Sequence, residues 1–150
     1  MKKAKTVSII LYSLVTLITL SMASKFLMAR EYFVYHAEAS GLNWVDIPKG
    51  LQMVYLAVFK ICGAGFLSTG LGLTLLISIP YTRYSQRWSY YAIPGFGLIF
   101  WSITLAMTLY VQISTGANTP WRGSSLCIFL LVLGFAVSVL DPKRHLTHHN

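Results

Sequence analysis

The chain has 150 residues, 55% hydrophobic and 11% charged, with a mean hydropathy of +0.61, whereas soluble domains carry about 25% charged residues. Twelve Lys plus Arg outweigh four Asp plus Glu, giving a net charge of +8. The basic residues fall between long apolar runs, so the charge reads as membrane topology and no nucleic-acid partner is expected.

A membrane-crossing helix needs about 20 predominantly apolar residues. Four stretches qualify: Val7 to about Leu27, Leu51 to Pro80, Tyr91 to about Ser114, and Ser124 to Leu140. In lipid each must satisfy its own backbone polar groups, and no short alternating strands of a barrel are visible. The expected fold class is an all-α membrane protein, residues 1–150 forming one domain. Its four transmembrane helices form an up-down bundle, with a small outer cap built from the first loop.

Lys2, Lys3 and Lys5 precede the first span. The start Met-Lys-Lys-Ala-Lys, an apolar stretch and Ser21-Met22-Ala23 together have the form of a secretory signal. The run stays apolar and helix-compatible to Tyr35, which favours an uncleaved anchor. The first loop, about Met28 to Gly50, mixes aromatic and charged residues. A helical extension is expected to stop at Gly41, and Asp46 before Pro48 resembles a helix entry. On a continuous helix His36 shares the face of Tyr32 and reads as an interfacial histidine.

In the second span Lys60 is a charge inside a helix, by default a site hypothesis. It lies 20 residues before Pro80 (80 − 60), about 30 Å at about 1.5 Å per residue, which places it at the outer surface as a snorkelling side chain. The competing reading pairs it with Glu31, Glu38 or Asp46 in a polar mouth that Gln52 joins. Cys62, Gly65, Thr69 and Gly72 share one face of this helix, with Gly63 and Gly70 nearly opposite. Gly95, Ser102 and Ala106 align on the third span, where Pro94 lies in or close to the first turns. Cys127, Gly134 and Ser138 align on the fourth. Small residues let helix backbones approach closely where lipid removes the hydrophobic incentive, so Gly65, Thr69, Gly72, Gly95, Ser102, Ala106, Gly134 and Ser138 are expected at helix contacts.

Cys62 and Cys127 lie in different spans with no Cys-x-x-Cys, which excludes a disulfide scaffold and a zinc ribbon. Measured from Pro80 and Leu140 their depths differ by about 7 Å of helical rise, which argues against a bridge. His145, His148 and His149 form an exposed basic tail without an ordered companion ligand, so no metal is expected. No axial-histidine pair sits in mid-membrane and no nucleophile meets a base at workable spacing. No cofactor or catalytic residue is therefore expected.

Seven basic residues (Lys2, Lys3, Lys5, Arg83, Arg87, Lys143 and Arg144) against Asp141 mark one side of the membrane. The other loops are near neutral, which places both termini in the cytoplasm. Aromatics such as Tyr32, Tyr35, Trp44, Trp88 and Trp121 stand at the span edges as interfacial belts.

Tyr35-His36-Ala37, Trp44, Gln52, Lys60 with Gly63 and Gly65, Ile79-Pro80, Trp88, Thr115-Gly116-Ala117 and Thr119-Pro120-Trp121 form a pattern running from about Ala29 to Leu140. It resembles a family of small, uncharacterised bacterial four-helix membrane proteins, and in shape alone the DoxX-like four-helix proteins. The resemblance implies a bacterial inner membrane and this topology, and carries over no activity. Two functions fit the residues. In the first, a non-enzymatic protein packs against a membrane partner or a second copy through its small-residue faces. In the alternative, the bundle binds a lipid or other hydrophobic small molecule under the outer cap, near His36, Trp44, Gln52, Lys60 and Trp101.

Overall fold

The computed structural model describes residues 2–139. The expectations for Leu140, Asp141, Lys143, Arg144, His145, His148 and His149 lie outside the described residues. Those described are all-helical, with α1 (Lys2–Met28), α2 (Val34–Ser40), α3 (Lys49–Leu76), α4 (Ser89–Thr115) and α5 (Trp121–Val139). A 3₁₀ turn at Trp44–Asp46 precedes α3, and a π-helical segment, Ile77–Arg83, continues it. α1, α3 with its extension, α4 and α5 are each long and apolar enough to cross a membrane.

Local chemistry sets the helix ends. Gly41 (φ +70°) closes α2 with its N–H on the Ala37 carbonyl, and Gly116 (φ +74°) closes α4 on the Gln112 carbonyl. Both are left-handed positions that glycine fills without a Cβ clash. Pro80 has no N–H and its ring crowds the carbonyl one turn back, so the helix widens around it instead of ending. The Tyr84 N–H there reaches the Ile79 carbonyl five residues back, at 3.1 Å. Pro94 falls within the first two turns of α4, where it is buried.

Two local expectations are corrected. The chain breaks between α1 and α2, so His36 stands on a separate short helix instead of an outward continuation of α1. Pro48, not Asp46, occupies the N-cap position of α3, and the Asp46 carboxylate instead accepts from Asn43 Nδ2 at 3.1 Å.

α1 packs against both α3 and α5, α4 packs against α5, and α3 and α4 touch more sparingly. Gly63 faces Leu27 and Gly70 faces Leu20, so α1 and α3 run antiparallel. A Cβ on Gly70 would lie 2.5 Å from Leu20 Cδ2, and one on Gly63 would lie 3.0 Å from the Leu27 backbone nitrogen. Gly134 is equally close to α1, where a Cβ would meet the Tyr12 ring at 2.6 Å. A Cβ on Gly97 of α4 would lie 2.9 Å from the Leu131 side chain of α5. Thr69, Cys127 and Ser138 are buried with them.

The glycine stripe expected at contacts divides. Gly72 lies against the Phe96 ring, at 3.0 Å from where its Cβ would stand, but a Cβ on Gly65 or Gly95 would meet nothing within 4 Å. Ser102 and Ala106 are exposed. These four are not tight contacts: Gly65 borders a cavity, and Gly95 is half-buried with open space where a Cβ would stand. Helical spacing groups residues on a face, but in an apolar medium it does not say what that face meets.

At the end of the bundle away from α2, Tyr81 packs edge-on against Tyr12 (5.9 Å) and Tyr90 (4.9 Å). Lys5 Nζ donates to Ser85 Oγ at 2.7 Å and to the Thr82 carbonyl at 3.2 Å, tying α1 to the α3–α4 connection.

Candidate ligand-binding cavity

At the α2 end the connection between α1 and α3 folds into a compact cap. Its carbonyls are taken by side chains: Tyr32 hydroxyl donates to Leu42, and Gln52 Nε2 donates to Trp44 (2.8 Å) and Ile47 (3.0 Å). The Tyr32 ring meets Trp44 at 5.1 Å and Tyr55 at 6.2 Å, both edge-on. His36 lies among Tyr35 (3.9 Å), Phe59 (4.9 Å) and Phe33 (5.8 Å). Burial among these rings pushes the imidazole below its usual range, against a smaller opposing pull from the Phe33 backbone.

Lys60 has a structural partner. Its Nζ donates to the Leu27 carbonyl and, at 2.9 Å, to the Ala29 carbonyl. These belong to the C-terminal end of α1, where carbonyls lack intrahelical partners and a cation complements the helix dipole. The pairing with Glu31, Glu38 or Asp46 is not formed. Lys60 does not simply snorkel into solvent either, since it caps a neighbouring helix. Thus His36, Trp44, Gln52 and Lys60 build and fasten the cap, and they do not converge on a common mouth.

Trp101 is placed differently. Beneath the cap, where α3 and α4 draw apart, lies a cavity of about 360 Å³. That is within the about 300–1,000 Å³ usual for small-molecule sites. Tyr35 of α2 stands at its top, with Cys62, Gly65 and Phe66 on α3 and Phe100 and Trp101 on α4. Ile18, Met22 and Phe26 of α1 form its back wall, and Pro120, Gly123 and Ser124 its edge at the start of α5. The walls are overwhelmingly apolar. Phe66 lies 4.9 Å from Phe100 and 5.8 Å from Trp101, and stacks on Phe26 at 5.4 Å. Trp101 is 2% exposed, and its indole Nε1–H has no hydrogen-bond partner. A buried donor without an acceptor costs about 1–3 kcal/mol, and tryptophan N–H groups usually find a partner when buried. Burial beside Cys62 raises the Tyr35 phenol to about 12, so it stays protonated and is a second donor at the top of the cavity.

Above this cavity, between the end of α1, α2 and the α4–α5 connection, opens a cleft of about 830 Å³. Met22, Phe26, Tyr35 and Pro120 line both spaces. The connection is held by Glu38, whose carboxylate accepts the Asn118 N–H at 2.9 Å, and by Thr119, whose hydroxyl donates to the Thr108 carbonyl at 2.9 Å. Cys62 is exposed on the cavity wall, whereas Cys127 is buried on α5, and both are free thiols. Among the described residues no three His, Cys, Asp or Glu side chains gather as a metal site.

Tyr35, Phe66 and Phe100 were not singled out by the sequence as site residues. The available signal was a line of aromatics at helical spacing on α3 (Phe59, Phe66), which also reads as ordinary core. No family model, curated protein or solved structure matches this chain.

Proposed function

We propose that this chain is a four-span protein of a bacterial inner membrane. In this reading it is an up-down bundle with both termini in the cytoplasm and α2 on the outer side. Its function is to bind a hydrophobic small molecule that carries an acceptor oxygen, such as an ester, amide or quinone-type carbonyl, in the α3–α4 cavity. The observation that carries the reading is Trp101: its indole borders an apolar cavity with an aromatic wall, and its buried N–H has no acceptor in the protein. A ligand carbonyl placed there recovers the hydrogen bond that the protein leaves unmade, while the rest of the molecule gains apolar contact. The basic excess at the start of α1 (Lys2, Lys3, Lys5) and in the α3–α4 connection (Arg83, Arg87) supports the orientation.

Native mass spectrometry of protein purified in mild detergent tests it. The wild type should retain a non-protein mass of defined stoichiometry. Gly65→Leu, whose side chain grows into the cavity without meeting any atom within 4 Å of its Cβ, should lose that mass while remaining folded. Equal retention by both proteins would remove the cavity from consideration. Reporter fusions near Arg87 and Asn118 should report cytoplasm and exterior respectively.

A second reading rests on the α4 face carrying exposed Ser102 and Ala106 and half-buried Gly95. Such a small-residue face suits close approach of a second copy or another membrane helix. Detergent-corrected mass measurement distinguishes the monomer from that assembly.

A further inference from the structure

The cleft above the cavity adds a second half to the site. We propose that the two spaces hold one molecule, an anionic acyl lipid. Its phosphate or carboxylate headgroup lies in the cleft, its ester carbonyl faces Trp101 Nε1, and its chain leaves laterally between α3 and α4. This rests on the cavity reading and specifies its ligand.

Three observations carry it. First, the spaces are contiguous in their walls, since Met22, Phe26, Tyr35 and Pro120 border both. Their characters differ sharply, with charged side chains gathered in the upper space and almost none in the lower, as an amphiphile requires. Second, the cleft carries Lys25, Arg30 and Arg122 against Glu31 and Glu38. Glu38 is already engaged by the Asn118 N–H, while Arg122 has only the Trp121 ring, at 5.7 Å, and Lys25 and Arg30 have no partner. Three basic groups thus face two carboxylates, of which Glu31 is as unpartnered as the bases, and the cleft carries a net positive charge. The N-terminal end of α5, with no acidic residue in its first turn, adds its partial positive charge at the shared edge. Third, α4 residues Thr108 and Trp101 both line the cavity. Their separation of seven positions spans about 10 Å at about 1.5 Å per residue, so the indole lies well below the charged cleft. A ligand reaching down from the cleft passes the Trp101 indole at that depth.

The side of the cavity supports the exit of a chain. Cys62 and Gly65 on α3, and Ile103 and Met107 on α4, are exposed cavity-lining residues on opposite sides of the opening. Lower down, Gly72 closes on Phe96, so the opening ends there.

The test uses delipidated full-length protein in detergent and three probes. These are dioleoyl phosphatidylglycerol, dioleoylglycerol with the same chains and esters but no charge, and glycerol phosphate with the charge but no chain. Phosphatidylglycerol should be retained in native mass spectra, dioleoylglycerol should bind more weakly, and glycerol phosphate should not bind measurably. Lys25→Gln and Arg30→Gln should each weaken phosphatidylglycerol by about fivefold, the equivalent of about 1 kcal/mol for a basic side chain near anionic lipid. Neither should alter dioleoylglycerol. If phosphatidylglycerol and dioleoylglycerol bind equally and the cleft variants change neither, the headgroup assignment is overturned while the cavity reading stands. If Gly65→Leu leaves binding of both lipids unchanged, or neither lipid binds the wild type, both fall. Binding of glycerol phosphate alone at comparable strength would identify a soluble anion site and overturn the lipid assignment.

Discussion

Helix α3 makes two seams of opposite character. Toward α1 it presents Gly63 and Gly70, where any Cβ would collide with Leu27 or Leu20, and the two helices approach to near backbone contact. Toward α4 it presents Gly72 and Gly65. The first is tight against Phe96, whereas the second, two turns nearer the cap, opens onto empty space. The same residue type therefore closes one seam and leaves the other splayed. What differs is the partner, because leucine side chains fill one groove while the rings of Phe66, Phe100 and Trp101 hold the other apart. Glycine permits close approach without enforcing it.

The largest test of this contrast is overpacking. Gly70→Leu and Gly134→Leu add branched side chains against Leu20 and Tyr12 and should each destabilise by about 3 kcal/mol, the upper end of the usual overpacking cost. Thermal unfolding in detergent should show this as a clear drop, while Gly65→Leu should unfold at the parental temperature. A parallel drop in Gly65→Leu would mean that the α3–α4 seam is closed in the membrane. Next is Lys60→Met, which strips two hydrogen bonds from the end of α1. It should cost about 1–2 kcal/mol, and Lys60→Arg should restore most of it by thermal unfolding.

Trp101→Phe keeps an aromatic ring but removes the N–H together with the pyrrole half of the indole. Lost packing and removal of an unpaired donor oppose each other in stability, and affinity for a carbonyl-bearing ligand should fall about fivefold more than that for a pure hydrocarbon in a binding titration. Smallest is the pH dependence of the cap. His36 has a folded-state pKa below its unfolded value of about 6.5, so the unfolded chain takes up the proton first. Its contribution is therefore complete above about pH 6.5 and is lost as pH falls from there toward the folded pKa. The melting temperature should decline between pH 7.5 and 5.5 in the wild type, and a His36→Gln variant should show a shallower decline. An identical slope in both would take His36 out of the account.

Much of this arrangement was legible from composition. Spans read from runs of apolar residues correspond to α1, α3, α4 and α5 within a few residues, because a helix in lipid must be continuously apolar. Lys60 stood out as an isolated charge in such a run, and Trp101 was expected near a ligand under the cap. What each meets was hidden. The Lys60 partners are main-chain carbonyls of another helix, which no side-chain pattern encodes. The open surroundings of Gly65 depend on how far α4 leans from α3. In water a buried face differs in composition from an exposed one, but here Leu20 against Gly70 and the exposed Ile103 are equally apolar, so periodicity finds faces without assigning them. The capping guess at Asp46 failed because Asn43, three residues earlier, competes for its carboxylate.

The side chains of Tyr32, Gln52 and Lys60 share one habit, which is to donate to main-chain carbonyls of the α1–α3 connection: those of Leu42, of Trp44 and Ile47, and of Leu27 and Ala29. A turn normally depends on solvent for such groups, and that dependence keeps turns at the aqueous surface. Here the demand is met within the protein, so the connection does not need full hydration and can settle into the dehydrated layer among lipid headgroups. A loop satisfied in this way tolerates deeper placement in a bilayer than a hydrated turn does, and each of these three donors adds a small ballast to that tolerance.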